Sequence, residues 1–101
     1  MKRPSAVKQA NAQPTHTISR IYTEKKNSRR IAKFISGQFE SFTIHPTVGY
    51  YRGNREPSIA IEIVAASPAA IRKLAERIKE MNGQKSILTI SFSAQVDSIR
   101  W

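Results

Sequence analysis

The basic side chains between Arg20 and Lys33 form the densest group in the sequence that could hold an anion. The basic residues there are Arg20, Lys25, Lys26, Arg29, Arg30 and Lys33, and Glu24 is the one acid among them. Arg29 and Arg30 fall in the first turn of a predicted helix, where backbone amides already attract anions. Their charges oppose the helix dipole and lower stability unless an anion offsets them. This segment predicts a phosphate site, with a solvated basic surface as the alternative.

A second group of candidate ligand-binding side chains lies in GYYRGNREP, residues 49–57. Its two tyrosines could stack on a base while its two arginines bind a phosphate in a forked geometry. The same segment also suits a plain hairpin turn, because Gly53 and Asn54 tolerate positive φ. A six-residue turn over residues 52–57 is longer than a tight hairpin needs, which favours a ligand or interface role. The candidate ligand-binding residues are Lys26, Arg29, Arg30, Tyr50, Tyr51, Arg52 and Arg55.

Apolar periodicity predicts six elements that position these groups. Strands are expected over residues 17–24, 42–51, 58–65 and 86–96, and helices over residues 28–39 and 67–82. Ile59, Ile61 and Ile63 alternate along the third strand and should face the helices. The order βαββαβ predicts a ferredoxin-like α+β fold, a two-layer sandwich of a four-stranded antiparallel sheet with two helices on one face.

Local signals set the ends of these elements. Ser67 followed by Pro68 is typical of a helix start, and Gly83 of a helix end. Asn27 and Ser28 could each cap the first helix. Pro46 lacks an N–H, so the second strand should lie at a sheet edge or contain a bulge. Residues 1–16 are expected to be a flexible basic tail, and residues 17–101 a single domain.

The charge balance indicates polyanionic partners. Seventeen lysines and arginines against seven acids give a net charge of +10 over 101 residues. Such a field attracts nucleotides, nucleic acids and acidic protein surfaces. The sequence has no apolar run long enough to span a bilayer and no apolar signal region at its start, so a cytoplasmic protein without membrane contact is expected.

Catalytic and metal-binding motifs are not evident in the sequence. A metal-dependent nuclease of this fold would carry an aspartate at the end of the first strand, but the one aspartate is Asp97 and Glu24 is the nearest substitute. His16 and His45 have no second histidine nearby, and the chain has no cysteine. No serine lies in a nucleophile elbow. We therefore expect no enzyme, no catalytic residues, no metal and no cofactor.

The layout of residues 17–96 resembles that of PII-like and related small ferredoxin-like trimers. The local marks are the glycine tip at residues 49–57 and GQKS at residues 83–86. This resemblance implies a hairpin loop that reaches over a nucleotide at a subunit interface. The chain also resembles uncharacterised phage or prophage proteins in its Gly49-Tyr50 turn before EPSIAIEI, residues 56–63, which implies no established activity. An RNA recognition motif is disfavoured because the third strand carries no aromatic residue.

The sheet face away from the helices should carry Ala60, Glu62, Val64 and either Tyr22 or Ile21. This mixed character suits a subunit interface, so a homo-oligomer, dimer or trimer, is expected. The first hypothesis is non-enzymatic sensing or sequestration of a phosphate-bearing ligand, a nucleotide or cyclic nucleotide, at a basic inter-subunit site. The alternatives are an accessory protein that binds DNA or RNA, and an adaptor or inhibitor that binds an acidic protein surface.

Overall fold

Six elements make up residues 15–97, the part of the chain that the computed structural model describes. They are β1 (Thr15–Glu24), α1 (Ser28–Ser36), β2 (Thr43–Tyr51), β3 (Asn54–Val64), α2 (Pro68–Asn82) and β4 (Leu88–Gln95). The strands form one antiparallel sheet in the order β2-β3-β1-β4, and both helices pack on one face. The predicted ferredoxin-like α+β fold is confirmed. Residues 1–14 of the predicted tail lie outside the described residues, and β1 begins at Thr15.

Isoleucines form the core between the sheet and the helices. Ile21 of β1 and Ile59, Ile61 and Ile63 of β3 are each at most 3% exposed. The helices contribute Ile31, Ile35, Ile71, Leu74, Ala75 and Ile78. Because Ile61 is fully buried, the predicted orientation of the third strand is correct.

The helix ends follow local capping chemistry. The Ser67 hydroxyl accepts a hydrogen bond from the Ala70 N–H at 3.1 Å, and Gly83 ends α2 at φ 62°, both as predicted. α1 ends at Ser36, three residues earlier than predicted, because Gly37 has a low helix propensity and the chain turns there. None of the helices within residues 15–97 is long and apolar enough to cross a membrane.

β2 and β3 form a long hairpin whose turn is shorter than predicted. β3 begins at Asn54, four residues before its predicted start, and the two residues Arg52 and Gly53 make the turn. Their φ angles of 51° and 79° give a twist that matches the flanking strands. The prediction of a six-residue turn is wrong because residues 54–57 continue the strand ladder, with Tyr51 paired to Asn54.

The outer strands present their side chains differently. β2 lies at a sheet edge, as predicted from Pro46. On the other edge, Ser91 pairs with the buried Ser19, and their hydroxyls lie 3.1 Å apart, whereas Ile90 pairs with Arg20. The apolar residues of β4 therefore point away from the helices.

We call the sheet surface opposite the helices the open face. It carries Ala60, Glu62, Val64 and Tyr22 of β3 and β1, as predicted, whereas Ile21 lies in the core. β4 adds Leu88, Ile90 and Phe92. The open face is therefore more apolar than the sequence suggested.

Candidate functional site

The antiparallel register brings the predicted site residues to one end of the molecule, the hairpin end. β1 ends at Glu24, which pairs with Ser58 of β3. Residues 47–57 of the hairpin therefore reach that point and project past it; we call them the hairpin arm. The backbone N–H of Lys25 donates to the Pro57 carbonyl at 3.1 Å, which holds the basic loop before α1 against this arm.

The basic residues near the start of α1 have different surroundings. Lys26 Nζ donates to the Asn82 carbonyl at 3.1 Å and so caps the C-terminus of α2. Arg29 and Arg30 are exposed in the first turn of α1, which contains no acid, and neither forms an ion pair within the described part of the chain. Lys26 therefore makes a structural contact, whereas both arginines remain accessible to an anion.

α1 begins without a side-chain cap. Asn27 precedes the helix at φ 57°, and its Nδ2 donates to the Met81 carbonyl at 3.1 Å and to Asn82 Oδ1 at 3.0 Å. The prediction that Asn27 caps the helix is wrong because this side chain binds the end of α2 instead. Ser28 is already the first helical residue.

The two predicted tyrosines lie near the tip of the hairpin arm. Tyr50 and Tyr51 are 70% and 61% exposed, and as consecutive strand residues they point to opposite faces. The Arg52 guanidinium lies 5.3 Å from the centre of the Tyr51 ring, within cation–π distance. Arg55 pairs with Tyr50 across the hairpin. One tyrosine therefore already has a cationic partner.

The tip of the arm and the first turn of α1 do not converge. Pro57 contacts the loop before α1, and Asn54 lies three residues further out on the arm. At about 3.3 Å per strand residue, the tip is roughly 10 Å beyond that contact. The seven predicted residues therefore form two groups at one end of the molecule rather than one site.

A cleft of about 680 Å³ opens between the hairpin arm and the loop after α2. Both segments were singled out in the sequence, as the glycine tip and as GQKS at residues 83–86. The residues that line it include Tyr22, Glu24, Tyr51, Glu56, Lys85 and Leu88. Of the seven predicted site residues, Tyr51 is the one in this lining.

The lining of the cleft is acidic although the chain is strongly basic. Glu24 and Glu56 both line it, and neither forms an ion pair with any residue in the range 15–97. Lys85 is the basic residue of the lining. The hydroxyls of Thr47 and Ser58 lie 2.7 Å apart on the arm side. The cleft therefore combines negative charge, hydroxyls and aromatic surface.

Buried polar side chains lie at and behind the cleft wall, which Thr23 and Gln84 line. Thr23 and Asn82 are 3% and 2% exposed. Asn82 Nδ2 donates to Thr23 Oγ1 at 3.0 Å and to Gln84 Oε1 at 3.2 Å, and Thr23 Oγ1 also donates to Gln84 Oε1. Motifs and periodicity in the sequence did not indicate these residues. The available signal was the position of Asn82, four residues after Ile78 on the buried stripe of α2.

Comparisons with known proteins place the chain by its fold. No family model and no curated protein matches the sequence. The structure is similar to a DUF3240 family protein from Shewanella baltica, with a TM-score of 0.66 and 10% identity over 87% of this chain and 99% of that one. It is similar to a phage SAM lyase in complex with S-methyl-5′-thioadenosine, with a TM-score of 0.52 and 15% identity over 84% and 93% of the two chains. CutA1 from Pyrococcus horikoshii aligns over 84% and 86% of the chains at 17% identity, but its TM-score of 0.44 supports no argument.

These comparisons correct one prediction made from the sequence. Because a phage SAM lyase shares the fold, the expectation that this chain is not an enzyme is withdrawn. Within residues 15–97, no three His, Cys, Asp or Glu side chains are placed to hold a metal ion. The predicted resemblance to small ferredoxin-like proteins, a phage protein among them, holds at the level of the fold.

Proposed function

We propose that the protein binds an adenosyl sulfonium compound, such as S-adenosylmethionine, in the cleft at the hairpin end. The observation that carries the proposal is the pair of carboxylates, Glu24 and Glu56, that line the cleft and form no ion pair among residues 15–97, with Lys25 and Lys26 in a smaller pocket beside them. Carboxylates stabilise a sulfonium or ammonium group, whereas they repel phosphate. This changes the expected ligand from an anion to a nucleoside that carries a positive charge.

The remaining lining suits the nucleoside part of such a ligand. The Tyr51 ring offers a face for stacking on a base, in the manner of other aromatic platforms for nucleobases. Thr47 and Ser58 provide two neighbouring hydroxyls that can exchange hydrogen bonds with a ribose. The phage SAM lyase, described in complex with a thioadenosine, supports the choice of ligand class for this fold.

We further propose that a second copy of the chain covers the open face and closes the cleft. Val64, Leu88, Ile90 and Phe92 are 44%, 58%, 42% and 39% exposed there, a grouping of apolar residues that soluble monomers rarely expose. The face spans roughly 19 by 26 Å from strand spacing and rise. That is of the same order as one side of a stable dimer interface. Leu88 also lines the cleft, so a copy on this face would lie over the ligand.

The centre of the open face is compatible with burial in such an assembly. Arg20 Nε donates to Glu62 Oε1 at 2.8 Å, and the guanidinium lies 5.1 Å from the centre of the Phe92 ring. The hydrogen bond to Glu62 raises the pKa of Arg20 above its already high usual value. Because the two charges neutralise each other, a partner surface would cover no unpaired charge at the centre of the face.

The second candidate function is binding of a phosphate-bearing nucleotide or a nucleic acid by the basic flank. It is favoured by the exposed Arg29 and Arg30 in a first turn that lacks both an acid and a side-chain cap. In that case the anion would bind at the start of α1, beside the cleft rather than in it. An acidic protein surface remains the third class of partner for the same residues.

Thermal-shift measurements separate these functions. S-adenosylmethionine, S-methyl-5′-thioadenosine, ATP and a short RNA are each added to the native protein. A ligand at about a hundred times its dissociation constant stabilises the folded state by ~2.7 kcal/mol. We expect the sulfonium compound to raise Tm more than the neutral thioadenosine, and both more than ATP. A larger shift with ATP or RNA would contradict the proposal in favour of the basic flank, and no shift at all would favour a protein partner.

A charge-neutralising variant then tests the site itself. Glu56→Gln should weaken binding of S-adenosylmethionine by up to about fivefold, because it removes one solvent-screened attraction of at most about 1 kcal/mol. Glu40→Gln is the matched control, since Glu40 is an exposed carboxylate outside the cleft lining. Equal effects of the two substitutions would mean that only the net charge matters. Chromatography of the same mixtures reports whether the protein converts S-adenosylmethionine to S-methyl-5′-thioadenosine.

A further inference from the structure

We propose that the side-chain oxygen of Gln84 fills a preformed cluster of hydrogen-bond donors, and that a carboxylate of the ligand displaces it. We call this site the donor pocket and define it by three groups: Thr23 Oγ1, Asn82 Nδ2 and the backbone N–H of Glu24. The inference rests on the proposed function in one respect, that the cleft binds the ligand. It adds which part of the ligand is recognised there and which side chain must move.

The three donors converge on one atom. Asn82 Nδ2 lies 3.2 Å and Glu24 N 3.4 Å from Gln84 Oε1, and Thr23 Oγ1 donates to the same oxygen. Thr23 and Asn82 are almost fully buried, so water does not reach them freely. Thr23, Glu24 and Gln84 also line the cleft. Two of the three donors are thus buried side chains, and Thr23 and Glu24 lie at the wall of a ligand-sized opening.

An amide oxygen is a poor match for three donors. It has two lone pairs, so three converging hydrogens exceed its capacity and at least one bond is weak. A carboxylate has two oxygens with about four acceptor positions and makes shorter, stronger bonds to the same donors. The pocket is therefore better suited to a carboxylate than to the glutamine that fills it. This favours the carboxylate of an amino-acid moiety, which S-adenosylmethionine has and S-methyl-5′-thioadenosine lacks.

Gln84 is placed so that it can leave the pocket at low cost. Its Nε2 donates to the Ser86 carbonyl at 3.0 Å, a contact within its own loop. The preceding Gly83, at φ 62°, is a residue type that tolerates backbone adjustment. The Gln84 side-chain bonds that tie this loop to another element are those that the donor pocket makes. Withdrawal of this side chain therefore breaks only these bonds, and a ligand carboxylate in the pocket would replace those to the three donors.

The charge near the pocket is compatible with an anionic group. The C-terminus of a helix is a region of negative potential, and α2 ends at Asn82. Lys26 Nζ lies 3.1 Å from the Asn82 carbonyl and offsets that potential. Lys85, the neighbour of Gln84, is the basic residue of the cleft lining, which also contains the Glu24 and Glu56 carboxylates.

Chemical rescue of Gln84→Ala tests the donor pocket without any nucleoside. The variant leaves the three donors without their acceptor, and formate is a small carboxylate that can replace it. We expect formate to raise the Tm of Gln84→Ala by about 4 °C more than chloride at equal ionic strength. The matched control is Gln38→Ala, which removes an exposed glutamine for which no side-chain hydrogen bond is found within the described chain. Equal effects of formate on both variants would overturn the proposal.

A second variant keeps the test valid if Gln84→Ala does not fold. Gln84→Glu supplies a tethered carboxylate, so we expect a higher Tm than that of the native protein and no response to formate. The same variant should lower the affinity for S-adenosylmethionine at least tenfold and the affinity for S-methyl-5′-thioadenosine less than threefold. A lower Tm for Gln84→Glu would overturn the donor pocket. If no nucleoside binds but formate still rescues Gln84→Ala, the proposed function fails while the donor pocket stands.

Discussion

Substitution of Ile90 by lysine should separate the native assembly into single chains without unfolding them. Ile90 is 42% exposed on the open face. Complete burial of such a side chain is worth about 1.5–3 kcal/mol, so covering the exposed part contributes roughly 0.6–1.3 kcal/mol in each copy. In a twofold assembly both copies lose this term. Self-association should then weaken by roughly eight- to eightyfold, before the cost of burying the lysine charge is added.

Thr89→Lys is the matched control because Thr89 is the adjacent residue of β4 and points to the opposite side. Sedimentation velocity between about 1 and 100 µM, a range that spans ordinary interface affinities, measures the association. Far-ultraviolet circular dichroism checks that both variants are folded. We expect dissociation of Ile90→Lys and native behaviour of Thr89→Lys. Native protein that is monomeric at the highest concentration, or equal weakening by both substitutions, would refute the reasoning.

Three further predictions concern the stability of the single chain. Ile61→Ala should lower the free energy of unfolding by roughly 2–5 kcal/mol, because it removes a fully buried side chain; chemical denaturation measures this, and a loss below 1 kcal/mol would contradict the core described here. Replacing both Arg29 and Arg30 by glutamine should raise thermal stability by at most about 1 kcal/mol, since two charges that oppose the α1 dipole are removed; a clear decrease in Tm would show that they make stabilising contacts. Asn27→Ala should destabilise by about 1–3 kcal/mol through lost hydrogen bonds and a disfavoured positive φ, whereas Asn27→Gly, which loses the same hydrogen bonds but tolerates the positive φ, should cost less; equal losses would rule out the backbone contribution.

The fold could be predicted because its determinants are local. Alternating isoleucines in β3 and the Ser67-Pro68 and Gly83 signals of α2 each have one structural interpretation. The hairpin register could not be predicted in the same way. Asn54 and its neighbours are typical turn residues, but the positive φ of Arg52 and Gly53 completes the turn before them. Pairing with β2 then overrides their turn preference.

The site was harder to predict because its residues meet only through the tertiary structure. Glu24 and Glu56 are 32 positions apart in the sequence, and neither belongs to a recognisable motif. The cleft also depends on the loop around Gln84, which follows another helix. In β4, apolar and polar residues clearly alternate in the sequence. Which of the two sets faces the helices, however, is decided by the pairing of Ser91 with Ser19. Patterning within one strand does not contain that information.

The central claim is that the ligand binds in the cleft between the hairpin arm and the loop after α2. Nuclear magnetic resonance of the ¹⁵N-labelled protein, titrated with S-adenosylmethionine, tests it most directly. We predict that the shifted amides cluster at residues 22–24, 47–51, 56, 58 and 83–88, which line or flank the cleft. Shifts confined to Arg29, Arg30 and the rest of the first turns of α1, or the absence of saturable shifts, would contradict the claim.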